Sequence, residues 1–176
     1  MKWLLSVSLL LAPGLLCAMS VDSKNAKAAA SADEKSEVLV IEEPLCITHA
    51  TTLPDAKKSI KEIRLGEKGA LIIKAWQRLS LHNLVVHGVN NNSLRLEDVT
   101  STLVLLDTTL VFNNDYEFTT GSLLVAGNSR FERERGLGER NLSVYLTPGF
   151  VLFQGRDSSL LYGDWIRMVD SSKDKD

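Results

Sequence analysis

In the second half of this chain, apolar residues recur at every second position, in short bursts separated by turn residues. Leu79-x-Leu81-x-Asn83, Leu103-x-Leu105-x-Asp107 and Leu123-x-Val125-x-Gly127 carry one pattern, displaced by 24 and then by 20 residues. Further bursts follow the same rule: Leu94 and Leu96, Leu110 and Phe112, Tyr116 and Phe118, Leu142 with Val144 and Leu146, Phe150 and Leu152, and Leu160 and Tyr162. Such alternation turns one set of side chains inward and the other towards water on an extended strand. Gly66 to Gly69, Asn90 to Asn92, Asn113 to Asp115, Gly121 and Pro148-Gly149 read as turns. The pattern therefore predicts many strands of about three to five residues. No stretch after Leu79 has a useful helical period, which excludes an α/β nucleotide-binding fold, since that fold needs helices between its strands.

A unit of 20 to 24 residues is too small to bury its own apolar face, so successive units must stack. This predicts an all-β protein built as a β-solenoid of four to five coils. An antiparallel β-sandwich or jelly roll is the alternative. A sandwich has no reason to repeat a sequence at fixed spacing, and Asn-Gly and Asp-Gly hairpin turns are missing.

Upstream of the repeat, Val38 to Ile41 reads as a short strand stopped by Glu42-Glu43-Pro44. Pro54 to Lys58 reads as a short helical turn or an irregular cap, because Pro is tolerated at the first helical position. Ile63-x-Leu65 and Leu71 to Ile73 read as strands. The solenoid domain is thus expected over residues 63–169, behind an N-terminal cap segment at 38–62 and before a disordered polar tail at 170–176.

The remaining N-terminal residues change the picture more than the overall composition does. Lys2, the apolar stretch Trp3 to Leu16 and the small residues Ala18-Met19-Ser20 form a signal peptide over 1–20, cut before Val21. An uncleaved anchor is the competing reading, but the apolar run is short and Pro13 interrupts it. Cys17 after Leu15-Leu16 raises acylation as a third possibility, in which case the protein is tethered to a membrane. Residues 21–37, rich in Ala, Ser, Lys and acids, read as a flexible linker. If Cys17 leaves with the leader, Cys46 has no internal partner and reads as a buried apolar side chain or an intermolecular link. His49 lies three residues from Cys46, a weak basis for a catalytic thiol. Taking Lys2 from the 20 basic residues leaves 19 against 22 acidic ones. That balance lacks the positive cluster that nucleic acid requires.

The run Leu79 to Phe131 resembles the coils of right-handed parallel β-helix proteins, the pectin-lyase-like superfamily. Asn83, Asp107 and Gly127-Asn128 fall at equivalent places and suit the tight bend of such a coil, where Asn tolerates positive φ. The likeness covers roughly Ile63 to Tyr162 and is one of fold. It implies a right-handed coil and, in the enzymes of that superfamily, clusters of acids with an Arg or Lys base or paired Asp residues with a Gly-His-Gly segment. Here His87-Gly88 follows Val86, and Asp98, Asp107, Asp115, Asp157 and Asp164 are scattered singly. A glycosidase needs two carboxyls about 5 to 10 Å apart across the bond. His82 and His87, five apart, point to opposite faces of a strand, a poor arrangement for a metal. No catalytic residue, metal or cofactor is assigned.

Arg130 to Arg140 interrupts the repeat with four Arg and three Glu. Arg130, Arg133, Arg135 and Arg140 are the candidate binding residues, as guanidinium forks for acidic sugars or a partner protein. A solvated loop with internal ion pairs is the competing reading. Asn91-Asn92-Ser93 and Asn141-Leu142-Ser143 fit the glycosylation sequon, which matters only in a eukaryotic secretory pathway. The expected function is an exported, non-catalytic β-solenoid with a structural or surface-interaction role, adhesin-like or in the cell envelope. Its location would be periplasmic, cell-surface or extracellular. Its partners would be another protein or further copies of itself at the solenoid ends, where strand edges are open. The alternative is a carbohydrate-binding or polysaccharide-processing β-helix, using exposed aromatics such as Trp76, Tyr116, Tyr145 and Trp165.

Overall fold

The computed structural model describes residues 38–55, 59–147 and 150–171. The expected signal peptide 1–20 and linker 21–37 lie outside the described residues, as do 56–58 of the expected helical turn and 172–176 of the tail.

The strands form three faces, visited in turn. The first face carries β1 (Val38–Ile41), β4 (Glu62–Leu65), β7 (Val85–Val89), β10 (Thr109–Phe112) and the second halves of β12 (Ser122–Arg133) and β14 (Val151–Tyr162). The second carries β2 (Pro44–Ile47), β5 (Ala70–Ile73) and β8 (Leu94–Leu96), then β11 (Tyr116–Glu117), β13 (Leu142–Leu146) and β15 (Ile166–Asp170). The third carries β3 (Thr51–Leu53), β6 (Arg78–His82), β9 (Thr102–Leu106) and the first halves of β12 and β14. Every strand pair among the described residues is parallel, each strand lying on its counterpart one coil away. The molecule is a parallel β-solenoid of about five turns. Parallel pairing rules out the sandwich and jelly roll, whose neighbouring strands run antiparallel.

The register is the repeat itself. Leu79 pairs with Leu103 and Leu103 with Leu123; Leu81 pairs with Leu105 and Leu105 with Val125. These are the spacings of 24 and 20 read from the sequence. Inward side chains stack in rows along the axis. One row runs Leu39, Ile63, Val86, Leu110, Phe131 and Tyr162; another runs Leu53, Leu81, Leu105, Val125 and Phe153. Their middle members are fully buried. Each such side chain contributes about 1.5–3 kcal/mol through removal from water. Near the C-terminal coils the core turns aromatic: Phe112 meets Phe131 edge-on at 5.1 Å, and Tyr116 meets Phe118 at 4.6 Å.

In the middle coils the corner between the third and first faces is the tightest. Asn83 and Asp107 adopt φ of 51° and 50°, and Gly127 sits at 60°. All three bends fall where the repeat places them. The Asn128 amide donates to Asp107 Oδ1 at 2.8 Å, tying one coil to the next. A Cβ on Gly127 would collide with that carboxylate. Just inside the bend, Thr108 and Ser129 are fully buried. Thr108 Oγ1 donates to the Leu81 carbonyl at 2.8 Å, and Ser129 Oγ donates to that of Ala126 at 3.4 Å. Such hydroxyls satisfy carbonyls that the turning backbone takes out of the ladder.

Several expectations are corrected. The segment 38–62, expected as a cap, contributes the first coil, with β1, β2 and β3 in register with β4, β5 and β6. Asp170, placed in the tail, ends β15 opposite Leu146. β12 and β14 run 12 residues each, because Gly127 and Gly155 carry them round the corner without a break. Leu142 does not continue the row of Leu79, Leu103 and Leu123. That place belongs to Val151, while Leu142 lies on the second face opposite Ile166.

Candidate functional site

The C-terminal coil differs from the coils before it in the exposure of its core rows. β14 stacks on β12, and no strand among the described residues covers its other edge. Tyr162 occupies the row of Phe131 and Phe153 the row of Val125, yet Tyr162 is 60% exposed and Phe153 55%, while Phe131 and Val125 are at 0%. The side chains face the solenoid axis, and the coil that should lie over them is missing among the described residues. Leu152 and Leu161, on the outward side of the same strand, are 53% and 51% exposed. Trp165, in the turn before β15, is 43% exposed. The end of the solenoid is therefore an apolar surface fringed by unpaired backbone N–H and C=O groups.

Arg130 to Arg140 borders this end. Its first four residues are not an insertion: Arg130 to Arg133 belong to β12, paired with Thr109 to Phe112 on one side. Phe131 points into the core and Arg130 out of it, as alternation requires. Only residues 134–141 make an expanded corner. Arg133 holds that corner together, its Nη1 donating to the carbonyls of Gly138 at 2.6 Å and Arg140 at 3.0 Å. The same guanidinium lies 4.8 Å over the Trp165 ring, a cation–π contact worth about 0.5–1 kcal/mol where exposed. Arg140 Nη2 donates to Asp115 Oδ2 at 2.7 Å, and Arg130 Nε pairs with Glu132 Oε1 at 2.8 Å. Arg135 is exposed at the tip. The four arginines thus do not converge: one clips the loop, two form ion pairs and one points to solvent.

The outward side of the first face carries a second polar group. His87 lies between two carboxylates, with Nδ1 3.4 Å from Glu134 Oε2 and Nε2 3.6 Å from Glu62 Oε1. Glu62 also pairs with Arg64. His82 instead opens on a cleft of about 740 Å³ that Asp55, Ser59 and Asn83 help to line. The two histidines thus serve different faces. Among the described residues, no group of His, Cys, Asp and Glu is arranged to hold a metal ion.

Most of the single acids bind backbone. Asp107 accepts from the Asn128 amide, and Asp115 Oδ1 accepts from the Ser143 amide at 2.9 Å. Asp98 Oδ1 accepts from the hydroxyl and the amide of Thr100, at 2.6 Å and 2.9 Å. Those bonds, the hydroxyl's first, hold the Asp98 carboxyl below its usual value. Of the aromatics expected on the surface, Trp76 is 81% exposed but Tyr116 is buried. The Tyr116 hydroxyl donates to the Leu94 carbonyl at 2.9 Å, where the ladder between β8 and β11 lapses. Burial pushes its phenol well above the usual value. Cys46 is buried with Ala70 and Ile72, and it is not a free thiol.

The uncovered end is the feature that sequence reading did not locate. Phe153 and Tyr162 follow the same alternation as the buried strands, and only the topology shows that no strand among the described residues pairs with the outer edge of β14. Compared with protein-family models, with curated proteins and with solved structures, the chain has no match.

Proposed function

We propose that this protein is an exported, non-catalytic β-solenoid that acts through protein contacts at its C-terminal end, in a structural role in the envelope or at the cell surface. The observation that carries this reading is the pair of core rows left open at Phe153 and Tyr162. Contiguous exposed apolar surface bordered by a free strand edge is costly in water and is stabilised by a protein that supplies the next strand. The leader-like first twenty residues support export, and the bent corners at Asn83, Asp107 and Gly127 support a right-handed coil of the pectin-lyase-like kind. The engagement of Asp98, Asp107 and Asp115 with backbone amides supports a scaffold over an enzyme.

The test is light scattering and sedimentation of the full chain over a concentration series, beside Phe153→Ser/Tyr162→Ser. Association of the wild type that the double variant loses is the expected result. A wild type that stays strictly monomeric at high concentration overturns the reading of this end as an assembly surface.

A further inference from the structure

β14 has a sequence that reads alike in both directions. From Val151 it runs three apolar residues, a polar one, a small one and a charged one; from Tyr162 backwards it does the same. The two halves are Val151-Leu152-Phe153-Gln154-Gly155-Arg156 and Tyr162-Leu161-Leu160-Ser159-Ser158-Asp157. The centre of this pattern coincides with a structural centre. Gln154 pairs with Ala126 on the third face and Ser159 pairs with Asn128 on the first, so residues 155–158 form the corner, with Gly155 at φ 96°. The charges at the centre are opposite: Arg156 precedes the corner's midpoint and Asp157 follows it.

A two-fold axis through that corner, perpendicular to the solenoid axis, exchanges the third and first faces. It lays β14 against a second β14 running the opposite way, and it does so on both faces at once. Leu152 then meets the partner's Leu161, Phe153 meets the partner's Leu160, and Arg156 meets the partner's Asp157. Antiparallel edges exchange hydrogen bonds as readily as the parallel ladder inside the coil. On the second face the same axis sets β15 against the partner's β15.

We propose that the C-terminal end closes on a second copy of the chain, β14 pairing antiparallel with its counterpart about a two-fold axis through the Arg156–Asp157 corner. This deepens the reading above and rests on it. A contact of one patch with itself ends at two subunits, whereas head-to-tail stacking leaves an end free for the next copy. The N-terminal end does not match the C-terminal one as a head-to-tail partner. Its row members Leu39 and Leu53 are partly buried against the core, and Pro44, opening β2, has no N–H to offer.

The experiment uses charge exchange in the full chain, with sedimentation equilibrium as readout and circular dichroism as the check on folding. Arg156 and Asp157 are exposed, so their replacement leaves the coil intact. Arg156→Asp alone sets like charges together twice per dimer, as does Asp157→Arg alone. Each is expected to weaken dimerisation at least about tenfold. The double exchange Arg156→Asp/Asp157→Arg restores both attractions and is expected to return the dimer to near the wild-type affinity. The pair Leu152→Cys/Leu161→Cys is expected to give covalent dimers on mild oxidation, and Leu161→Cys alone far fewer. Association that the single charge variants leave unchanged, or that grows without limit with concentration, overturns the two-fold contact while leaving the end an assembly surface. A wild type that is monomeric throughout overturns both.

Discussion

Phe131 and Tyr162 are neighbours in one row of the core, one coil apart, and they live in different worlds. Phe131 is sealed by Leu110 on one side and by aromatic neighbours around it, while Tyr162 has Phe131 beneath it and, among the described residues, no strand above. Direction of side chain, strand type and pairing register are the same. The difference is the presence of a following coil. In a stacked repeat, then, burial is a property of the neighbour as much as of the residue, and the last coil is stabilised from one side only.

This contrast can be broken most sharply at Phe131. Phe131→Ala removes a ring packed against Phe112 and Phe118, and is expected to cost about 3–5 kcal/mol in urea-induced unfolding. A loss under 1 kcal/mol, on the order of a surface change, would show that the aromatic core is not sealed.

The corner is the next test, because it ties the covered coils to each other. Asp107→Ala removes the acceptor of the Asn128 amide and leaves a β-carbon at φ 50°, for an expected loss of about 1–2 kcal/mol. Asp107→Gly relieves the backbone while still losing the bond, so it should fall between wild type and Ala. If Gly is the worse of the two, the bend is not what sets the residue.

At the uncovered end the same kind of truncation should do little to the isolated chain. Tyr162→Ala, measured at concentrations too low for association, is expected to change stability by no more than about 0.5–1 kcal/mol. A change as large as that at Phe131 would mean that the row is covered after all.

The smallest effect concerns acid. Asp98 is held below the ordinary carboxylate value of 3.8 by its bonds from Thr100. Its contribution is therefore complete above that value and is lost as pH falls through the lower, folded one. Asp98→Asn keeps an acceptor oxygen but cannot ionise. It should unfold slightly more easily than wild type at neutral pH, and the gap should close as the pH drops below the carboxylate range. A gap that widens in acid contradicts this assignment.

Much of the architecture was legible because the periodicity and the ladder are one thing. The spacings of 24 and 20 became the register of β6, β9 and β12, and the bends at Asn83, Asp107 and Gly127 followed from residue types that tolerate positive φ. What was hidden came from variable corners. The eight residues at 134–141 lengthen the corner before β13, so Leu142 imitates the spacing of a row to which Val151 belongs. Alternation grouped Tyr116 with Phe118, and only the carbohydrate alternative set its ring outside; what alternation does not reveal is the lapse in the ladder that gives its hydroxyl the Leu94 carbonyl. The arginines were grouped by sequence, but one strand and one loop divide them among separate partners.

The corner after the first face has a consequence for change over time. It is spanned by two residues at Glu42-Glu43, by Gly66 to Gly69, by Asn113 to Asp115, and by the longer stretch closed by Arg133. Chain length varies there while the strands of the first face keep their parallel pairing. In the middle coils the opposite corner is held to two residues, Asn83-Leu84 and Asp107-Thr108. This side of the molecule is thus a docking port for new sequence. A foreign loop inserted between Gly136 and Gly138 would be displayed on a rigid spine, beside the apolar end, with the fold paying only the modest entropy of a longer loop.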